Sequence, residues 1–294
     1  MTDQSTCDDH VHVFDPDRFA YSPHRRFTPA TATAAQLTQY LDRVGLGRVV
    51  LVQPSVYGTD NRCLVDALTL LGPRAKGVAV ISTTASSEEL DSLSAAGVVG
   101  ARLNLVVHRS DDTAAALHSV QQLDTMLPPT WHIQLHVTLD VLAGMASYVA
   151  GSRRLFVLDH LGLPVVANGT KTWQWQQMLA LVQTGRLVVK ASGPYLSSQE
   201  RSPYQDLRPF IESLTKAQTT GLVWGSNWPH TQGVHRSAGD DPNQVESFRD
   251  EDDHAWLDVC AHWLGADLFD QLHRNAARLY GFDQSSLTPA ILTS

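Results

Sequence analysis

The sequence predicts an α/β chain folded as a closed (β/α)8 barrel, the TIM-barrel architecture, in a single domain over residues 1–294. Three observations predict it. Eight short apolar runs recur along the chain, and helical periodicity fills the stretches between them. No Gly-x-Gly-x-x-Gly follows an early run, so the phosphate cradle of a doubly wound dinucleotide fold is missing. Apolar strands separated by helices imply parallel pairing covered on both faces, because each crossover needs a helix and a right-handed path. Eight such units in about 280 residues fit a closed barrel better than an open sheet.

In order, the apolar runs centre on 11–13, 49–52, 78–81, 101–104, 133–136, 155–158, 187–189 and 222–224. Amphipathic stretches lie at 34–44, 61–71, 87–96, 113–126, 139–149, 173–183 and 209–219. The segment 231–253, rich in Asp, Ser, Gly and His, reads as a long polar loop overhanging the barrel mouth after the last strand. No Pro/Gly/Ser-rich linker divides the chain, and no repeat is evident.

Composition narrows the function. Thirty acidic against 22 basic residues give a net charge of −8, which argues against nucleic acid or an anionic membrane as partner. The expected partner is a small molecule, in a chain compatible with a homo-oligomer. Cys7, Cys63 and Cys260 are odd in number and far apart, so neither a disulfide framework nor a paired-cysteine zinc site is expected. With no basic, apolar leader and no run of eighteen apolar residues, the expected setting is the cytoplasm. Thirteen histidines are many for the side chain that ligates metals and exchanges protons near neutral pH.

Chemistry in such a barrel gathers at the C-terminal ends of the strands. The polar residues that interrupt or end the apolar runs are His10 and His12, Gln53 and Ser55, Arg102 and Asn104, His136, Asp159 and His160, Lys190 and Ser192, and Asn227 and His230. His10 and His12 are two apart, so on a strand both imidazoles face the same side, and burying two is costly unless they are used. Arg102 lies among Val98, Val99, Leu103 and Leu105, where a guanidinium must find a ligand anion or a buried carboxylate such as Asp9 or Asp159. Lys190 and Asp159 read equally as a pair within the barrel.

These residues sit in recognisable motifs. His10-Val11-His12, Val52-Gln53-Pro54-Ser55-Val56-Tyr57-Gly58, Gly100-Ala101-Arg102-Leu103-Asn104, Asp159-His160-Leu161-Gly162, Trp224-Gly225-Ser226-Asn227-Trp228-Pro229-His230 and Asn275-Ala276-Ala277-Arg278-Leu279-Tyr280-Gly281 occur in that order. Over residues 7 to 282 the chain resembles the amidohydrolase superfamily, in the amidohydrolase-2 branch of 2-pyrone-4,6-dicarboxylate lactonase, sugar lactonases and D-galactarolactone isomerase. The resemblance implies a barrel acting on a cyclic ester. His10, His12, His160 and Arg102 would polarise the carbonyl. Gln53, Ser55, Tyr57, Asn104, Arg109, His136, Tyr195, Trp228 and His230 would bind substrate. In the hydrolytic members a strand-8 aspartate takes a proton from water, and that position here is Asn227.

An amide has no titratable acceptor to match a carboxylate, and losing a general base removes about a hundred- to ten-thousand-fold in rate. Asn227 therefore stands as the native residue of a lactone isomerase, as an engineered replacement of a catalytic aspartate, or beside another base, His230 or Asp159. Where the resembling pyrone lactonase has cations for substrate carboxylates, this chain has Leu163 and Leu196, which predicts a less anionic or partly apolar substrate. Trp173, Trp175, Tyr195 and Trp228 are candidate flat walls. His10, His12 and His136 have the ligand types of a mononuclear zinc site, while the pyrone lactonases work without metal and carry tyrosine at position 136, so the resemblance leaves either no cofactor or one Zn2+. The expected function is lactone hydrolysis, with isomerisation as the rival, then zinc-dependent non-oxidative decarboxylation and binding without catalysis.

Overall fold

A computed structural model describes residues 3–106, 111–232 and 241–282. Eight parallel strands follow one another around the barrel in sequence order: β1 (Asp3–Val11), β2 (Leu46–Val52), β3 (Ala75–Ala79), β4 (Val98–Asn104), β5 (His132–His136), β6 (Phe156–Leu158), β7 (Leu187–Ala191) and β8 (Leu222–Trp224). The helices are α1 (Ala34–Val44), α2 (Arg62–Leu71), α3 (Ser87–Ala95), α4 (Thr113–Met126), α5 (Leu139–Gly144), α6 (Ala146–Gly151), α7 (Trp173–Gln183), α8 (Arg208–Ala217), α9 (Asp253–Leu264) and α10 (Ala266–Tyr280).

Alternation along the strands builds two apolar layers. Residues such as Ala101, Ile133, Leu135, Leu158 and Val189 face outward into the main core against the helices. A smaller cluster of Cys7, Val50, Val52, Val78, Val188 and Val223 packs with Ala276 and Tyr280 of α10, which stoppers the floor of the lumen. The remaining inward positions of β4 to β7 carry polar groups: Arg102 meets Asp159 and His136 at the mouth, while His132 and Lys190 lie beside Tyr280 at the floor.

Closure between β8 and β1 is made largely by the segment after β8. Asn227 N donates to His10 O at 2.9 Å, His12 N donates to Trp228 O at 2.8 Å, and Val11 bridges Trp228 in parallel. The buried Asp8 carboxylate staples the seam, accepting from Ser226 N (3.0 Å), Ser226 Oγ (2.6 Å) and the Tyr40 hydroxyl (2.9 Å). Gly225 lets the chain pass: a Cβ there would lie 2.6 Å from Asp9 Oδ1 and 2.9 Å from His10 Cβ.

Several elements differ from expectation. β1 begins at Asp3 rather than near residue 11, since the polar stretch before His10 pairs with β2 and its buried Asp8 meets Ser226 and Tyr40, partners no local pattern reveals. β3 ends at Ala79, because Asn61 accepts from Val80 N (3.1 Å) and donates to Val80 O (2.9 Å), replacing strand pairing there. The stretch 139–149 is two helices broken at Met145. Gly144 beside the break has no room for a Cβ, which would come within 2.3 Å of Thr113 Cγ2. Part of the expected loop 231–253 is ordered, Val245–Glu246 pairing in parallel with Thr28–Pro29, while residues 233–240 lie outside the described residues.

Candidate active site

The expected carbonyl-binding cluster assembles at the mouth. The His10 ring lies 5.0 Å from that of His12 and 4.6 Å from that of His160, and His136 lies 5.0 Å from His160. All four are at least largely buried. β1 delivers His10 through a bulge: three steps from Asp8 to Val11 match two steps from Val49 to Leu51 on β2. β4 and β5 run in register, Arg102 beside Gln134 and Asn104 beside His136, which brings the guanidinium to the rings.

Arg102 is the hinge of the electrostatics. Its Nε donates to Asp159 Oδ2 at 2.9 Å and its Nη2 to His136 Nδ1 at 3.1 Å. The other Asp159 oxygen lies 3.3 Å from His10 Nδ1. Burial works against ionising Asp159, but Arg102 and His10 together overcome it and hold the carboxyl well below the usual carboxylate range. The imidazoles go the other way. Burial, reinforced by the Arg102 charge, lowers His12 to about 3, and burial lowers His160 to about 4 despite the attraction of Asp159. Burial likewise holds His10 and His136 well below 6.5. At neutral pH the mouth therefore contains neutral rings around one fixed ion pair.

Second contacts fix the tautomers. His12 Nδ1 lies 2.7 Å from Val52 O, an atom that accepts only, so its proton is on Nδ1 and its lone pair on Nε2. His160 Nδ1 faces Ser192 O (3.2 Å) and Ser192 Oγ (2.9 Å), with the same result. Asn227, in the left-handed region at φ 70 that asparagine tolerates, donates Nδ2 to the Tyr195 hydroxyl at 2.8 Å. Its Oδ1 is buried and has no partner among the described residues. Gly193 shows how tightly these groups converge: a Cβ on it would meet Asn227 Nδ2 and Leu196 Cδ1 at 3.0 Å and His160 Nδ1 at 3.2 Å.

Other expected residues are engaged elsewhere. Gln53 donates to Asp60 O at 2.8 Å and braces the loop after β2. The Tyr57 hydroxyl accepts from Asp15 N at 2.8 Å, and its ring packs on Tyr21. Ser55 opens the short turn Ser55–Tyr57, half-buried, and Asn104 is half-buried at the end of β4. Leu163 is half-buried after the β6 turn. Trp228 stacks its ring on Tyr40 of α1 and meets His12 through its backbone carbonyl, Trp175 packs on Phe210 inside the helical layer, and Trp173 is 61% exposed, whereas the Tyr195 side chain contacts a mouth residue, Asn227. His230 Nε2 lies 3.0 Å from Asp253 Oδ1 and its ring 5.9 Å from that of Tyr195. Arg109 lies outside the described residues.

Sequence reasoning did not find Asp8 as the seam staple or Asp253 behind His230. Two consecutive aspartates just before His10 were a signal for the first; the second had none. Among the described residues the donors that gather for a cation are His10, Asp159 and His160, whose ligand atoms lie within 4.8 Å of one another, rather than the expected trio of His10, His12 and His136. Two imidazoles and a carboxylate suit zinc by type, so these residues could hold one divalent ion, with Arg102 beside Asp159 opposing it.

With this geometry in view, the chain belongs to the amidohydrolase family of enzymes, whose family model matches residues 7–282. It is 30% identical over 233 residues to a 2-pyrone-4,6-dicarboxylate hydrolase from Comamonas testosteroni, covering 76% of each chain. A D-galactarolactone isomerase from Agrobacterium fabrum is 26% identical over 206 residues, covering 69% of this chain and 67% of that one. Among solved structures, a Pseudomonas putida protein described as a 2-pyrone-4,6-dicarboxylic acid hydrolase superposes with a TM-score of 0.73 at 27% identity, covering 96% of this chain and 99% of that one. Among the described residues, no helix is long and apolar enough to cross a membrane.

Proposed function

We propose that this enzyme opens a small lactone by adding water to its carbonyl. One observation carries the reading: Arg102, Asp159 and the rings of His10, His12, His136 and His160 meet in one buried cluster at the strand ends. The names of the Comamonas and Pseudomonas relatives support a lactone as the cyclic ester. The carbonyl oxygen docks against the Arg102 side of the cluster, where a fixed positive charge costs no reorganisation as the oxygen becomes anionic.

Asn227 and His160 flank Gly193 and address the water. The Asn227 Oδ1 accepts one water hydrogen and orients it, and His160 Nε2 takes the departing proton. An imidazole held at about 4 is as basic as an ordinary carboxylate, so this exchange replaces a strand-8 aspartate without loss of basicity. The imidazolium so formed is stabilised by Asp159, whose charge Arg102 preserves. A divalent ion held by His10, Asp159 and His160 would supply Lewis acidity to the same carbonyl as an alternative to His160 serving as the base, since one lone pair cannot do both.

Asn227 also favours a second reading, since an amide at that position leaves a substrate hydroxyl free to compete with water, which moves the ester instead of cleaving it; the likeness to the galactarolactone isomerase supports it. A lactone panel in heavy-oxygen water separates the two. Hydrolysis places the label in the product acid, isomerisation leaves the product unlabelled, and no turnover of any lactone rejects both.

A further inference from the structure

We propose that His136 is a hydrogen-bond donor to the substrate's acyl oxygen, coupled to Arg102, and not a metal ligand; naming that oxygen rests on the lactone reading above. Arg102 Nη2 points at His136 Nδ1 from 3.1 Å. A guanidinium has five donors and no acceptor, so Nδ1 must offer its lone pair and the single ring proton must sit on Nε2. That Nε2 is buried and meets no partner among the described residues, and the ring stands nearly edge-on to His160 at 78°. Both nitrogens are thereby lost to a cation, one to Arg102 and the other to its own proton.

The contrast with His12 sharpens the point. There a backbone carbonyl takes the Nδ1 proton, leaving Nε2 as an acceptor. Two histidines of one cluster are thus set as opposites by their outer contacts. An Nε2–H backed by a guanidinium is a stronger donor than an isolated imidazole, because each bond in the chain polarises the next. The group it fits is an oxyanion: the tetrahedral oxygen of a lactone carbonyl, or the carboxylate released when the ring opens. An unpaired buried N–H is costly, and such an oxygen would satisfy it.

Three measurements test this. In nitrogen-labelled wild-type protein, long-range proton–nitrogen correlation should show His136 with its proton on Nε2; a proton on Nδ1 overturns the proposal. In titrations of metal-stripped protein with zinc alone, His136→Phe should bind as the wild type does, within about threefold, whereas a loss of about tenfold or more is the mark of a lost ligand or ligand support and overturns it. With the best lactone of the panel, His136→Phe should lower kcat by about 100-fold, the effect of deleting one oxyanion donor, with little change in KM. His136→Tyr, which returns a donor, should recover at least tenfold of it, and an unchanged kcat in the phenylalanine variant overturns the donor role. Should the wild type turn over no lactone, the lactone reading falls alone, since the tautomer and zinc measurements need no substrate.

Discussion

The lumen holds two buried aspartates that behave oppositely. At the floor, burial pushes Asp9 up to about 8 while Lys190 opposes it, so the acid is protonated at neutral pH. At the mouth, Asp159 is held ionised well below the usual range. Burial is complete at both; the difference is the partner. Arg102 grips the Asp159 carboxylate at 2.9 Å, whereas Lys190 donates to the Asp9 backbone carbonyl at 2.6 Å and lies 5.5 Å from the Tyr280 ring centroid. A buried acid keeps its charge where a planar donor fork meets it directly. The floor drifts toward neutrality under α10, and the mouth retains a charge against which chemistry can be done.

The largest effect should come from breaking the mouth pair. Arg102→Met leaves Asp159 as an uncompensated buried carboxylate, and denaturant unfolding should show a loss of about 3–5 kcal/mol, with lactone turnover abolished. Lys190→Met at the floor should also destabilise, but the folded fraction should retain kcat within about threefold, because the floor touches no reacting atom; a collapse of kcat would erase the distinction between the regions. Asn227→Asp should raise hydrolysis at least tenfold by adding a second base, and an unchanged rate would discredit a water-handling role for position 227.

The subtlest prediction concerns pH. Asp9 holds its proton more tightly folded than unfolded, so its contribution is full below about 4 and is withdrawn as pH rises toward 8. His12 and His160 resist protonation when folded, so theirs is full above 6.5 and is withdrawn as pH falls toward 4 and then 3. Thermal unfolding of Asp9→Asn against pH should therefore lack the decline that the wild type shows between about pH 4 and 8 from this group, while its acid-side decline persists. Identical pH slopes in the two proteins would place the acid of the floor elsewhere.

Much of this was legible in the sequence. Near-continuous apolar runs located most strands, and the histidines, Arg102 and Asp159 that interrupt or end them are the residues found together at the mouth. What escaped was whatever depends on register or long-range pairing. The bulge between Asp8 and Val11 is invisible to a spacing argument, and so is the convergence of His10 on β1 with Asp159 and His160 after β6. Trp175 and Trp228 read as ring walls because aromatic residues suit both cores and sites, and only packing shows them against Phe210 and Tyr40. Polar β1 disguised a strand because its Asp8 carboxylate meets Ser226 and Tyr40, and its Asp9 carbonyl meets Lys190, all from distant segments.

The account turns on Arg102 polarising an ester carbonyl within the histidine cluster. Its most direct test is single-turnover lactone opening in heavy-oxygen water by the wild type and Arg102→Met side by side. The account predicts one labelled oxygen in the acid from the wild type and a rate at least about 1000-fold lower for the variant, a loss of about 4 kcal/mol of transition-state stabilisation. Equal rates in the two proteins would contradict it.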